Sequence, residues 1–154
     1  VRTMPNTPAL VGMGSTGIHF SPVVDAATRQ EVLALFSSFG TVAEMPREEL
    51  LDAVTALSGS GPAYAFLFLE ALADGAVRAG MGRAEASLLA ASTLEGAARM
   101  VRETGKHPAE LKDMVMSPGG TTAAGVAALE RGAFRATVMD AVLSAWQRCR
   151  ALSG

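Results

Sequence analysis

The segment Ser117–Thr122 combines residue types that suit the binding of a small anion. Its proline and the adjacent glycines Gly119 and Gly120 favour a tight turn whose backbone can approach a ligand closely. A helix is predicted over 122–131, so free N–H groups and the positive end of the helix dipole would point at this turn. The serine and threonine hydroxyls add donors, and a carboxylate fits such a pocket. An ordinary capped turn between helices explains the same residues equally well.

A second turn rich in glycine and serine, Leu57–Pro62, lies between two predicted helices. The first helix is predicted over 47–56, and the second over 62–79 with Ser60 as its N-cap. Thr55 precedes the turn and adds a third hydroxyl to the two that the turn contains. On these residues by themselves, helix capping and close packing at the glycines are the favoured interpretation.

The run Gly12–Gly17 matches the spacing G-x-G-x-x-G of dinucleotide-binding loops. That loop binds a pyrophosphate only where a strand leads in and a helix leads out. Here a strand-like stretch, 17–20, follows the glycines and ends before Pro22. We therefore reject the nucleotide interpretation and predict a glycine-rich hairpin flanked by short strands at 10–11 and 17–20.

Metal and disulfide chemistry find little support in the sequence. His19 and His107 are far apart, and neither has another ligand residue at a spacing typical of metal sites. Cys149 is the only cysteine, which excludes an intrachain disulfide and indicates a reducing compartment. We therefore predict no metal site and expect a cytoplasmic protein.

The composition is apolar, with 49% hydrophobic and 18% charged residues. A monomer of this size hides only a modest fraction of its apolar surface, so we expect burial against a partner chain. The net charge of −2 and the lack of a basic stripe argue against nucleic acid. The longest apolar stretch, 63–73, contains Glu70 and is too short to span a bilayer, so we expect no membrane association.

The composition of the chain and the type of predicted element change near residue 46. The segment Val1–Pro46 is rich in proline and glycine, with a helix predicted over 26–39 and a strand over 41–45. Apolar residues then follow helical spacing, and further helices are predicted over 83–103, 108–116 and 134–152. The predicted fold is mainly α, with a short α/β segment over 1–46 and a helical domain over 47–154.

Three stretches, in the same order, resemble pyrroline-5-carboxylate reductase. Arg2–Pro8 resembles the family's run R-x-M-P-N-T-P, and Asp52–Tyr64 is similar to its run A-V-T-x-L-S-G-S-G-P-A-Y. His107–Thr122 resembles the signature near the C-terminus of the family. The resemblance covers essentially the whole chain without large gaps, and three runs together are far more specific than any one of them.

The resemblance implies a dinucleotide-binding domain of Rossmann type followed by a helical substrate-binding domain that forms an interlocked homodimer or a higher oligomer. Residues 1–46 would be the C-terminal remnant of the first domain, and residues 47–154 the helical dimerisation domain. The chain starts at Val1 and lacks the cofactor fingerprint, so we expect a truncated chain without activity of its own.

The implied reaction is the reduction of 1-pyrroline-5-carboxylate to L-proline, the last step of proline biosynthesis, with NADPH or NADH as cofactor. Thr55 would be the catalytic residue that hydrogen-bonds the ring nitrogen of the substrate. The resemblance also implies two sets of binding residues: for the substrate carboxylate Ser117, Gly119, Gly120, Thr121 and Thr122, and for the nicotinamide end of the cofactor Met4, Pro5, Asn6 and Thr7.

Two alternatives remain open. The chain could be a non-catalytic helical dimerisation module. It could also be a related oxidoreductase, an imine reductase or a β-hydroxyacid dehydrogenase, but those enzymes use a lysine or an aspartate on a long helix. The helix predicted from Pro62 offers only Glu70 and Asp74.

Overall fold

A computed structural model of the chain describes residues 1–153. The elements, in chain order, are β1 (Arg2–Met4), a 3-10 helix (Thr7–Val11), β2 (Gly14–His19), α1 (Ala26–Ser37), β3 (Gly40–Glu44), α2 (Leu50–Val54), a π-helical turn (Thr55–Gly59), α3 (Gly61–Arg78), α4 (Arg83–Thr104), α5 (Pro108–Met114), α6 (Thr121–Arg131) and α7 (Phe134–Ser153). This architecture, a small sheet followed by helices, confirms the predicted fold class. The π-helical turn is called the π-turn below.

The chain folds into two compact units. The first contains Val1–Tyr64 together with the chain from Val138 onward, and the second contains Ala65–Thr137. The domain boundary predicted at residue 46 stays a prediction.

The sheet of the first unit has the strand order β1-β2-β3. β1 is antiparallel to β2, with Arg2 opposite His19, whereas β2 and β3 are parallel and joined by α1. Gly14 and Gly40 face each other at the start of the parallel pair, where a Cβ on Gly40 would lie 2.1 Å from the Gly14 carbonyl oxygen. Only glycine at position 40 permits this close pairing. Ile18 of β2 is fully buried.

The glycine run leads into a strand and not into a helix, as predicted for a hairpin. Gly12 has φ +73°, in the left-handed region, and Gly14–His19 forms β2. The hairpin partner of β2 is β1, whereas the strand predicted at 10–11 was wrong because these residues belong to the 3-10 helix. Pro8 accounts for the difference, since its fixed φ and missing N–H suit the first turn of a helix.

Helix ends follow the capping residues in the sequence. The Asp25 side chain accepts a hydrogen bond from the Thr28 N–H, as expected of the N-cap of α1. This bond, with a second from the Thr28 hydroxyl, lowers the pKa of Asp25. Gly105 ends α4 with φ +64°, and its N–H donates to the Val101 carbonyl.

The second unit has a core of small side chains. Three buried alanines, Ala73 of α3 with Ala86 and Ala90 of α4, form its centre. Side chains this small let the two helix backbones approach each other closely. Partly buried residues of α3 pack around them, namely Leu69, Ala76 and Val77.

The break predicted at Leu57–Pro62 was wrong, because the chain stays nearly helical there. The Ser60 N–H donates to the Thr55 carbonyl at 2.8 Å, which is the wide i→i+5 bond of a π-helix. Ser60 has helical dihedral angles, φ −83° and ψ −25°, so it is no N-cap. The π-turn thus accommodates one residue more than an α-turn and leads into α3.

Candidate functional site

Thr55 is the first residue of the π-turn and is half-buried. Its hydroxyl donates to the Leu51 carbonyl at 2.8 Å, a bond that threonine commonly makes one helical turn back. A hydroxyl carries one proton and two lone pairs, so this bond leaves only acceptor capacity for a ligand. π-Turns within helices are frequently found at functional sites.

The next turn of the helix lacks one donor. In an α-helix the Ser58 carbonyl would accept from the N–H four residues later, and that residue is Pro62, which has none. The Ala63 N–H donates instead to the Ser60 carbonyl at 3.0 Å. The Ser58 carbonyl therefore needs a partner from outside the helix.

The loop after β1 supplies that partner. The Asn6 side-chain Nδ2 donates to the Ser58 carbonyl at 3.0 Å, and its Oδ1 accepts from the Ser15 N–H of β2 at 2.8 Å. A Cβ on Gly59 would lie 2.8 Å from the Met4 Cε and 3.8 Å from the Thr55 Cγ2. The structure therefore brings the predicted cofactor residues Met4–Thr7 together with Thr55 in the first unit.

The loop Met4–Thr7 has a surface to offer a ligand. It begins where β1 ends, next to Gly17 of β2. Pro5 and Thr7 are exposed. The loop itself is held by the two hydrogen bonds of the Asn6 side chain.

The segment Ser117–Thr122 forms a tight turn that leads directly into α6. The Gly120 N–H donates to the Ser117 carbonyl at 3.0 Å, and Gly119 has φ +70°. A proline at the second position and a glycine with positive φ at the third are typical of a type II turn. A Cβ on Gly120 would lie 2.3 Å from the Ser117 Oγ, so only glycine lets this hydroxyl lie over the backbone.

The N-terminus of α6 is open to a ligand. Its N-cap, Gly120, has no side chain to accept from the first turn, and no other side chain caps it within residues 1–153. The first N–H groups of an uncapped helix have no intrahelical acceptor. Ser117 and Thr121 are exposed and Thr122 is half-buried. The five predicted carboxylate-binding residues therefore form one continuous cradle, which lies in the second unit.

An ion pair lies beside the loop Met4–Thr7. Arg2 donates to the Glu48 carboxylate at 2.6 Å, which connects the start of β1 to the segment before α2. This hydrogen bond lowers the pKa of Glu48 and raises the pKa of Arg2. Both side chains are exposed, so the pair contributes little to stability.

An open cavity of about 310 Å³ is present in the first unit away from these residues. It is lined by His19, Phe20, Arg29, Glu44, Met45 and Pro46. Its only guanidinium is paired with the Glu44 carboxylate and stacks over the Phe20 ring, 4.8 Å from the centroid. That charge is already neutralised, so the cavity offers less to an anion than the N-terminus of α6 does.

Within residues 1–153, no three His, Cys, Asp or Glu side chains lie close enough to hold a metal ion. Of the helices described, none is both long and apolar enough to cross a bilayer.

The sequence did not reveal the part that two residues play at the site. Ser15 and Ser58 were not recognised as anchors of the Asn6 side chain. A signal existed, since Pro62 lies four residues after Ser58 and removes a helical donor. The partner across 52 residues of sequence could not be inferred from that signal.

Comparison with known proteins gives matches along the whole chain. A Synechocystis protein named pyrroline-5-carboxylate reductase is 51% identical over 152 residues, which cover 99% of this chain and 57% of that protein. An Arabidopsis thaliana protein of the same name is 52% identical over 155 residues, or 99% of this chain and 55% of that protein. The chain thus spans about half the length of the curated relatives it matches.

Solved structures agree with the sequence matches. The crystal structure of Plasmodium falciparum pyrroline carboxylate reductase with NADP bound matches with a TM-score of 0.91 and 39% identity, over 99% of this chain and 62% of that one. A pyrroline-5-carboxylate reductase from Coxiella burnetii matches with a TM-score of 0.94 and 38% identity, over 98% of this chain and 56% of that one.

The family described as pyrroline-5-carboxylate reductase dimerisation matches residues 48–152. This range runs from the segment before α2 into α7 and includes both the π-turn and the cradle at α6. Because it spans well over half of the chain, the chain belongs to the pyrroline-5-carboxylate reductase family.

Proposed function

We propose that the protein carrying this chain reduces 1-pyrroline-5-carboxylate to L-proline with NADPH or NADH as the hydride donor. We base this on the uncapped N-terminus of α6, where free N–H groups and the hydroxyls of Ser117, Thr121 and Thr122 occur in one turn, a set of donors suited to a carboxylate. Family membership supplies the substrate class, since the matched relatives are named for this reaction. The neutral alternative, an ordinary capped turn, is disfavoured because no side chain caps this helix in the part of the chain described.

The substrate carboxylate would be held by the turn Ser117–Thr122. Ser117 and Thr122 offer hydroxyl donors, and the backbone around Gly119, Gly120 and Thr121 offers N–H groups. Hydrogen bonds to a charged acceptor are stronger than neutral ones, and the helix dipole favours a negative group at this end. The carboxylate would thus fix the orientation of the substrate ring.

Thr55 would contact the ring nitrogen as a hydrogen-bond acceptor. Its proton is given to the Leu51 carbonyl, so its free lone pairs favour a nitrogen that carries hydrogen. A protonated imine has such an N–H and is also the better hydride acceptor. Thr55 would therefore stabilise the cationic form of the substrate and hold it in place, without itself donating a proton.

The loop Met4–Thr7 would lie at the nicotinamide end of the cofactor. The nicotinamide, when bound, supplies the hydride that reduces the C=N bond. Met4 packs at Gly59 near Thr55, so the loop lies against the π-turn at this point. Holding two reactants in a fixed orientation accounts for a large share of the rate enhancement in such reactions.

The partner would be a second copy of the chain. On α3, the side chains of Phe66 and Leu67 are 63% and 68% exposed, which is costly in water. A homodimer or a higher oligomer would cover such surface, as the name of the matched family implies. A single cysteine fits a cytoplasmic location.

Substitution at the cradle tests this function. In the protein at its natural length, Ser117→Ala and Thr122→Val each remove one donor to the carboxylate. We expect the KM for 1-pyrroline-5-carboxylate to rise roughly tenfold in each variant, the effect of one hydrogen bond to a charged group. Ser87→Ala, at an exposed serine of α4, is the matched control and should leave the KM unchanged. An unaltered KM in both cradle variants would refute the assigned carboxylate site.

A further inference from the structure

The Ser58 carbonyl of the π-turn is left without its helical donor by Pro62. A half-buried carbonyl without a partner is destabilising, so a donor from elsewhere has to take the place of the missing N–H. Asn6 takes that place, since its Nδ2 lies 3.0 Å from the Ser58 oxygen. The two residues are 52 positions apart in sequence, so the bond fastens one segment to another.

The other end of the same carboxamide is also engaged. Oδ1 of Asn6 accepts from the Ser15 N–H at 2.8 Å, which fixes the amide against β2. A donor and an acceptor of one planar group are thereby held by two different elements. The carboxamide cannot turn to a ligand without breaking both bonds.

We propose that Asn6 is a positioning residue, whose carboxamide replaces the N–H missing at Pro62 and locks the π-turn that carries Thr55 against the loop Met4–Thr7. This inference rests on the proposed function, because it assigns the π-turn to the substrate and the loop Met4–Thr7 to the cofactor. It narrows the role expected of Asn6, which acts through the Ser58 carbonyl and not by binding the cofactor with its amide.

The two hydrogen bonds of Asn6 would set the distance between the substrate at the π-turn and the cofactor at the loop Met4–Thr7. Thr55 opens the π-turn, and Ser58 lies three residues later in the same turn. Met4 Cε and Thr55 Cγ2 both lie within 4 Å of the position of a Cβ on Gly59, so the two faces meet there. A small shift of the π-turn would change the distance over which hydride moves while leaving each binding surface intact.

The experiment uses four versions of the protein at its natural length: wild type, Asn6→Ala, Pro62→Ala and the double variant. Asn6→Ala should lower kcat by roughly ten- to a hundredfold, the effect of a displacement of about 1 Å, and leave the KM for NADPH within about twofold. Pro62→Ala restores a helical N–H for the Ser58 carbonyl. The double variant should therefore recover roughly three- to tenfold in kcat over Asn6→Ala, the equivalent of one neutral hydrogen bond.

A matched control separates this rescue from a general effect of removing proline. Pro108 lies in the first turn of α5, where its missing N–H is not needed. Pro108→Ala should therefore give no recovery in the Asn6→Ala background. Asn6→Asp keeps the acceptor for Ser15 but faces the Ser58 carbonyl with an oxygen, so it should lose at least as much kcat as Asn6→Ala.

Three results would overturn the inference: a raised KM for NADPH with unchanged kcat in Asn6→Ala, no rescue by Pro62→Ala, or near-normal kcat in Asn6→Asp. If the wild-type protein lacks reductase activity, the proposed function fails but the lock is still tested by unfolding in denaturant. The midpoint should then fall in Asn6→Ala and recover with Pro62→Ala. In that unfolding experiment, an equal recovery with Pro108→Ala is a fourth result that would overturn the inference.

Discussion

One local hydrogen bond decides whether the Thr55 hydroxyl can act as a donor or as an acceptor towards a ligand. A threonine hydroxyl can donate or accept a hydrogen bond, and the sequence does not decide between the two. Donation to the Leu51 carbonyl at 2.8 Å leaves only the lone pairs for a ligand. The proposed chemistry needs no strong acid at this position, because the bound imine would arrive with its proton.

Substitution of Thr55 tests this role in the protein at its natural length. Thr55→Val keeps the shape of the side chain but removes the acceptor, so kcat should fall roughly ten- to a hundredfold, as for one lost bond to a charged group. Thr55→Ser keeps the hydroxyl and should retain most of the activity. Steady-state kinetics with separate KM values for substrate and cofactor measure both. Equal turnover by Thr55→Val and wild type would contradict the role assigned to Thr55.

At the scale of elements, packing between α2 and β2 depends on the absence of one side chain. A Cβ on Gly17 of β2 would lie 2.7 Å from the Val54 Cγ1 and 2.8 Å from its Cγ2. Val54 is β-branched and stiff, so it cannot easily turn away. The π-turn follows Val54 directly, which makes this contact part of what positions Thr55.

Gly17→Ala should therefore lower the free energy of unfolding by roughly 1–3 kcal/mol, the usual cost of overpacking. Combination with Val54→Ala should recover part of the loss, because the colliding methyl groups are gone. Gly75→Ala in α3 is the control: a Cβ there meets nothing within 4 Å, and alanine should stabilise the helix by up to about 1 kcal/mol. Denaturant unfolding measures all four proteins, and a Gly17→Ala variant as stable as wild type would contradict the packing.

Elements whose position depends on nearby residues were predicted more closely than elements that depend on contacts far along the chain. Helices α1 and α4 to α7 follow apolar spacing and caps such as Asp25 and Gly105, and their positions were predicted closely. The π-turn was not predicted, because its shape depends on Asn6. The Asn6 side chain donates to the Ser58 carbonyl across 52 residues of sequence. The cradle at α6 was predicted in residue content, since the proline and glycines determine the turn locally.

On the scale of the whole molecule, exposed apolar surface is the dominant feature. Hydrophobic residues make up 49% of the chain, yet only six are buried in the described part of it. Composition by itself therefore predicted a partner, but the residues of the interface could not be derived from it. Apolar side chains at helical spacing face a core and an interface equally well.

We expect a dimer or larger assembly at micromolar concentration, measured as mass by light scattering. Leu67→Glu on α3 should shift the mass towards the monomer, because burying an unpaired carboxylate is costly. Val23→Glu is the matched control, since Val23 is 90% exposed in the loop before α1. A wild-type protein with the mass of a monomer would refute the expectation.

The fate of the hydride tests the central claim most directly. The protein at its natural length is incubated with 1-pyrroline-5-carboxylate and a reduced nicotinamide cofactor that carries deuterium on the transferred position. We expect L-proline with one deuterium at C5, detected by mass spectrometry and NMR, and a slower formation of the same product in Thr55→Val. Absence of proline, or proline without deuterium at C5, would contradict the account.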